Sequence, residues 1–230
     1  MNLLTLDTCS ECCSAALFYD GHLYEVSQLT QRGHSELILG MMNRLFEQAG
    51  TSIASVEALA FGRGPGSFTG VRVGVSVAQG IAFARDIPVI PISSLAAVAQ
   101  QAANDFDVDR FAVAVDARMG EIYCAHYQRE GETVVLVGQE RVCPPNDFLP
   151  TDQQKTMGVG TGWHTYSAEL GEQFSSQLID VKPKTYPMAS RIVDLAQVEI
   201  AAGRMLSAEQ ALPVYLRDNV AKKKAEQGHG

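Results

Sequence analysis

A chain of 230 residues with 46% hydrophobic residues can bury a substantial core, and its length suits one large domain or two lobes. A net charge of −8 argues against this chain alone gripping a nucleic acid backbone, because that affinity comes mainly from Lys and Arg neutralising phosphates. No stretch is long enough to span a membrane, and the start, Met1-Asn2-Leu3-Leu4-Thr5-Leu6-Asp7, lacks the basic flank of a signal peptide, so a cytoplasmic protein is expected.

Short β-prone runs at 3–7, 14–19 and 22–29 open the chain, with Asp20-Gly21 as a hairpin turn between the second and third. Leu37, Ile38, Met41, Met42, Leu45, Phe46 and Ala49 then recur at helical spacing and Gly50 follows, predicting an amphipathic helix over 34–49. A strand at 56–61 leads through the glycine-dense stretch from Gly62 to Gly74 into a helix over 69–85. A strand at 88–92 and a helix at 94–103 follow. Three meandering strands followed by helix-linked strands predict a ribonuclease-H-like α/β unit.

After the acidic run Asn104-Asp105-Phe106-Asp107-Val108-Asp109 the pattern restarts, with strands at 111–115, 122–128 and 133–142. Shorter strands at 157–160 and 178–181 and helical segments at 164–170 and 189–202 complete it. The repetition predicts a duplicated fold. Its lobes are 1–105 and a reduced 106–217, and each begins with a strand ending in an aspartate, Asp7 or Asp116. Residues 218–230, with Lys222-Lys223-Lys224, read as a solvated, flexible tail. The five cysteines, Cys9, Cys12, Cys13, Cys124 and Cys143, are odd in number and unevenly placed, so reduced structural thiols are expected.

The loop around Gly64, Gly66, Ser67 and Thr69 has the makings of an anion cradle. Glycines let backbone approach a ligand, and a helix start offers free N–H groups. Thr69 stands where the dinucleotide fingerprint needs its third glycine, and no Lys-Ser or Lys-Thr pair ends a Walker loop. Ser67 also lacks the glycine frame of a nucleophile elbow. Asp7 and Thr8, at the turn after the first strand, either face an interlobe cleft and hold Mg²⁺ or a phosphate, or serve their own turn and strand. Asp116-Ala117-Arg118 supplies the matching turn of the second lobe, or a surface ion cluster; Gly158-Val159-Gly160-Thr161-Gly162 is a weaker second glycine loop. Asp7, Thr8, Gly64, Gly66, Ser67, Thr69 and Asp116 therefore read as a vestigial nucleotide or anion site, the kind of set that takes ATP with Mg²⁺; no cofactor is expected of this chain, and the loop's main role is to shape an interface. The histidines show no ligand spacing, and no metal centre is expected.

Gly70, Gly74, Ala78 and Ala82 fall four apart on a helix that is apolar around most of its circumference, and small residues let another helix approach closely. A helical partner face is expected from Leu37, Ile38, Met41, Met42 and Leu45 on the first helix. Gly70, Val71, Arg72, Gly74, Val75, Ala78 and Ala82 continue it on the second. Ordinary burial within the lobe is the alternative.

Leu6-Asp7-Thr8, His34-Ser35-Glu36, the block Gly64-Pro65-Gly66-Ser67-Phe68-Thr69-Gly70-Val71-Arg72-Val73-Gly74, Asp116-Ala117-Arg118 with Gly120-Glu121-Ile122-Tyr123, and Tyr215-Leu216-Arg217 together resemble the TsaB (YeaZ) family. The resemblance spans nearly the whole chain and implies a two-lobed actin-like ATPase fold. It implies a non-catalytic partner of TsaD, the protein that transfers threonylcarbamoyl from its adenylate to N6 of adenosine 37 in tRNAs reading codons that begin with A. A heterodimer with TsaD, a ternary complex with the ATPase TsaE, a homodimer when alone, and tRNA contact only through the complex all follow from it. TsaD-like enzymes carry a His-x-x-x-His metal pair after the strand corresponding to 88–92, where this chain has Ser93-Ser94-Leu95-Ala96-Ala97-Val98-Ala99. The competing reading is an autonomous nucleotide-binding, ATP-hydrolysing enzyme built on Asp7, Thr8 and the glycine loop.

Overall fold

The computed structural model describes residues 1–217, so the expected flexible tail at 218–230 lies outside the described residues. Strands β1 (Leu3–Asp7), β2 (Cys12–Tyr19) and β3 (His22–Leu29) form an antiparallel meander. Helix α1 (His34–Ala49) ends at Gly50, whose left-handed φ of 62° lets its N–H turn back to the carbonyls of Phe46 and Glu47. Strand β4 (Ala58–Gly62), helix α2 (Phe68–Arg85), strand β5 (Val89–Ile92) and helix α3 (Ser94–Asp105) follow. The strand expected from Val56 starts two residues later, because a short helical turn at Ile53–Ser55 uses the Val56 N–H. The sheet order is β3-β2-β1-β4-β5, with β4 and β5 parallel to β1.

The second half repeats this plan with β6 (Arg110–Arg118), β7 (Glu121–Glu130), β8 (Thr133–Cys143), β9 (Thr156–Val159) and β10 (Leu178–Lys182), in the order β10-β9-β6-β7-β8. β6, β7 and β8 are the antiparallel meander, and β9 and β10 are the parallel additions. Strand for strand, the two sheets have one topology, as the duplicated two-lobed fold that the sequence predicts requires. The reduction is local. Where α1 stands in the first half, the second has a single helical turn at Pro145–Asp147. The counterpart of α2 is split into α4 (Gly162–Thr165) and α5 (Ser167–Gln173).

α3 and α6 (Ala189–Ala201) lie between the two sheets and pack on each other. α3 follows the first sheet in sequence but packs on β6, β7 and β8, whereas α6 follows the second sheet and packs on β1, β2, β4 and β5. One apolar cluster therefore joins Leu3, Ala60 and Ile90 to Val98, Phe111, Val113, Ile192 and Ala196. The expected boundary between 105 and 106 divides the sheets but not this core. Thr5 Oγ1 donates to the carbonyl of Ala189 at 2.7 Å, and Ser14 Oγ accepts the Ala189 N–H at 3.0 Å, fixing the start of α6 to the first sheet. The remaining segment also returns to the first lobe, where Leu206 pairs with Val89 and covers the open edge of β5. No helix among the described residues is long and apolar enough to cross a membrane.

Candidate functional site

The glycine block that ends β4 and begins α2 lies against the β1–β2 turn, and the glycines are there because the approach leaves no room for a side chain. A Cβ on Gly66 would lie 2.2 Å from the Cys9 carbonyl oxygen, one on Gly70 2.0 Å from that of Thr8, and one on Gly74 2.7 Å from Thr8 Oγ1. Ser67 N donates to the Cys9 carbonyl at 2.7 Å, and the Ser67 hydroxyl accepts from Gly70 N, capping α2.

Asp7 and Thr8 sit behind this wall and do not line the cleft between the lobes, contrary to the cleft-facing reading. Asp7 is fully buried; Oδ1 accepts the Cys9 N–H at 2.8 Å and Oδ2 accepts the Ser94 hydroxyl at 2.8 Å. Burial pushes its carboxyl up to about 6, partly offset by these hydrogen bonds. Thr8 Oγ1 donates to the Gly70 carbonyl at 2.7 Å. The turn aspartate and threonine thus tie β1 to α2 and α3, which is the structural alternative for both.

The cleft itself is a cavity of about 570 Å³, walled by the β1–β2 turn, the glycine loop, the β6–β7 turn and residues 214–217. Of the expected anion set, Gly66, Ser67 and Asp116 line it. Gly64 is buried under Val214, and Thr69 is exposed at the start of α2. Asp116 is taken up by its own turn, with Oδ1 accepting the Arg118 N–H at 2.8 Å and Oδ2 paired with Arg118 Nη1 at 3.1 Å. His34 Nε2 donates to the Ser10 carbonyl at 2.8 Å, so the histidine at the start of α1 braces the β1–β2 turn. The second glycine loop packs too. A Cβ on Gly158 would strike the Trp163 ring, whose Nε1 donates to the Ala112 carbonyl at 2.8 Å. Among the described residues no group of three or more His, Cys, Asp or Glu side chains is placed to hold a metal ion.

Residues 214–217 cross the cleft as a strap, a role with no periodic signal in the sequence. Val214 N donates to the Arg63 carbonyl at 2.8 Å. The Arg72 guanidinium lies 3.3 Å from the Phe68 ring centroid and 4.8 Å from that of Tyr215, binding the strap to α2. Arg217 donates to the Ala117 carbonyl at 3.2 Å and pairs with Glu121, binding it to the second lobe. The hints in the sequence are that apolar residues continue to Leu216, just before the polar tail, and that Tyr215-Leu216-Arg217 belongs to the pattern that carries the family resemblance.

Most residues expected on a helical partner face are buried instead. Ile38, Met41, Met42 and Leu45 on α1, and Gly70, Val71, Gly74, Val75, Ala78 and Ala82 on α2, are all buried in the core beneath the first sheet. The two glycines of the small-residue stripe admit the first sheet's own residues, the Thr8 carbonyl at Gly70 and the Thr8 and Leu6 side chains at Gly74. Leu37 is half-buried, and so is Arg72 in its aromatic stack. The outward face carries Leu39 and Gly40 on α1, and half-buried Val73 and Val77 with exposed Gly80 and Phe83 on α2; Phe83 is 71% exposed. A mid-helix glycine costs on the order of 1 kcal/mol relative to alanine. Among the described residues, nothing comes within 4 Å of a Cβ at Gly40 or Gly80 beyond the helix's own backbone and chain neighbours.

Residues 26–225 match the family model described as TsaD, tRNA N6-adenosine threonylcarbamoyltransferase. The chain is similar to the tRNA threonylcarbamoyladenosine biosynthesis protein TsaB of Haemophilus influenzae, at 41% identity over 97% of both chains. It is also similar to that of Escherichia coli K12, at 40% identity over 97% of this chain and 98% of the other. Among solved structures, YeaZ from Pseudomonas aeruginosa superposes with a TM-score of 0.85 at 39% identity, covering 94% of this chain and 99% of that one.

Proposed function

Since this chain belongs to the TsaB family, whose members are named for tRNA threonylcarbamoyladenosine biosynthesis, we propose that it works in that pathway as the non-catalytic partner of TsaD. In this reading TsaD transfers threonylcarbamoyl from threonylcarbamoyl-AMP to N6 of adenosine 37 in tRNAs reading codons that begin with A. This chain supports the transfer by pairing with TsaD; TsaE joins with ATP, and tRNA is met through the complex in the cytoplasm. Alone, the chain pairs with a second copy of itself.

The observation that carries the proposal is the outward face of α1 and α2. It holds exposed Leu39 and Phe83 around two glycines, Gly40 and Gly80, that weaken their helices and that the fold does not require. Glycines at such positions admit a partner's helix closely, and the apolar residues beside them supply area to bury. A scaffold role also fits the residues after β5. Ser93 Oγ accepts from the N–H groups of Leu95 and Ala96, and Ser94 holds Asp7, at the place where the resemblance puts the metal histidines of TsaD.

The test is Gly80→Glu, which has open space around it and leaves the core untouched. Purified variant and parent are mixed with TsaD, and complex formation is read by size-exclusion chromatography alongside adenosine 37 modification with TsaE and ATP. Loss of both pairing and modification in a folded variant is expected. Full modification without pairing would sink the proposal.

A further inference from the structure

Cys124 on β7 and Cys143 at the end of β8 hold their sulfurs 3.4 Å apart. In the antiparallel register Cys124 faces Arg141 and Cys143 faces Ile122, so the two thiols are diagonal neighbours on the face packed against Phe148, Trp163 and Phe174. They differ in access. Cys124 has no solvent exposure, whereas Cys143, at 9%, is the outer thiol. They also differ in acidity. The hydrogen bond between the two sulfurs, with help from Arg141, lowers the Cys143 thiol; the same hydrogen bond together with burial raises Cys124. The other three cysteines are engaged elsewhere, Cys9 donating to the Gly62 carbonyl at 3.2 Å and Cys12 lying 3.7 Å from the Met188 sulfur, with Cys13 buried beside them.

We propose that Cys124 and Cys143 are a dithiol modification site that a hydroperoxide converts into an intramolecular disulfide. The Cys143 thiolate attacks a peroxide oxygen; the S–O bond forms as the O–O bond breaks, and hydroxide leaves, giving a sulfenic acid. The Cys124 sulfur then attacks the Cys143 sulfur. The S–S bond forms, the S–O bond breaks, and the departing hydroxide takes the Cys124 proton as water. Two thiols and one hydrogen peroxide give one disulfide and two waters, the two electrons passing from sulfur to the peroxide oxygens. The bridge ties the β7–β8 hairpin at the point where each strand sends out a carboxylate. Glu121 of β7 binds Arg217 of the strap, and Glu140 of β8 binds Arg63 of the glycine loop.

The test treats the folded full chain with a small excess of hydrogen peroxide, blocks free thiols with N-ethylmaleimide, and maps peptides by mass spectrometry. A single linked pair joining Cys124 to Cys143, two hydrogens lighter and released by dithiothreitol, is expected, with Cys9, Cys12 and Cys13 still alkylated once the chain is unfolded. In Cys124→Ser the sulfenic acid should persist at Cys143 and be trapped by dimedone; if that variant does not fold, Cys124→Ala serves. Absence of the linked pair in the folded parent, its formation only in denaturant, or a bridge between other cysteines would overturn the proposal.

Discussion

Arg63 of the glycine loop reaches across the lobes to Glu140 of β8, with Nη2 3.1 Å from Oε2, and the other carboxylate oxygen accepts the Tyr127 hydroxyl at 2.8 Å. The Glu140 side chain is only 7% exposed, so its charge relies on these two partners. Breaking a buried pair costs about 3 to 5 kcal/mol. Because Arg63 is about a quarter exposed, water replaces it in part. Arg63→Ala is therefore expected to lower stability by about 1 to 3 kcal/mol in urea unfolding, with Glu140→Gln costing less because it keeps an acceptor for Tyr127. Equal losses for the two variants would contradict the clamp.

Asp7 gives a pH dependence with a definite sign. Its folded value of about 6 lies above the ordinary 3.8, so the folded chain holds this proton more tightly than the unfolded chain. Its contribution therefore favours folding below about pH 4, declines as pH rises through about 6, and stays unfavourable above that. The full span is on the order of 3 kcal/mol at about 1.4 kcal/mol per pH unit. Asp7→Asn keeps an acceptor for Cys9 N and gives Ser94 a donor. It should gain stability over the parent between about pH 4 and 6 and keep that gain at neutral pH. Urea midpoints of the two proteins across pH give the comparison, and a parent that gained on the variant with rising pH would refute the sign.

Two glycines on one helix should respond oppositely to alanine. At Gly74 the new methyl would lie 2.7 Å from Thr8 Oγ1 and 3.3 Å from Leu6 Cδ1, within close-packed core. A loss of about 1 to 3 kcal/mol is expected. At Gly80 the methyl meets open space, and a gain of about 0.5 to 1 kcal/mol is expected from helix propensity. Thermal unfolding of the two variants beside the parent decides it.

That contrast also shows what was legible beforehand. Strand meanders, the restart after Asp109, and the helices were readable because periodicity is a local signal, and Asp20-Gly21 and Gly50 mark a turn and a stop by backbone conformation alone. The same alphabet could not say which face of α2 was covered. Gly70 and Gly74 look alike whether they admit a partner helix or the Thr8 carbonyl and side chain, and only the tertiary approach of the β1–β2 turn separates the two. Asp7 was equally ambiguous, since the neighbours that capture its oxygens are Cys9 and, far along the chain, Ser94. The packing of α3 and α6 on opposite sheets is likewise a property of chain path, invisible to any window of residues.

The strap supplies the remaining prediction. Arg118 and Met119 adopt φ values of 62° and 59° without being glycine, in a turn whose residues are largely exposed. Left-handed backbone of this kind persists when its surroundings hold it. Asp116 holds the turn from within, and the group that holds it from outside is Arg217, which donates to the carbonyls of Ala117 and Arg118 at 3.2 and 3.4 Å while pairing with Glu121. Arg217→Ala removes all three contacts at once. Amide hydrogen exchange in residues 117–120 should rise by at least tenfold, an opening made easier by about 1.4 kcal/mol or more, while exchange in β1 and β4 stays as it was. Arg72→Ala, which unstacks Tyr215 at the other end of the strap, should raise exchange in the same turn by a smaller factor, because Arg217 keeps its own anchors there. If both variants left exchange at the turn unchanged, the strap would not be what holds it.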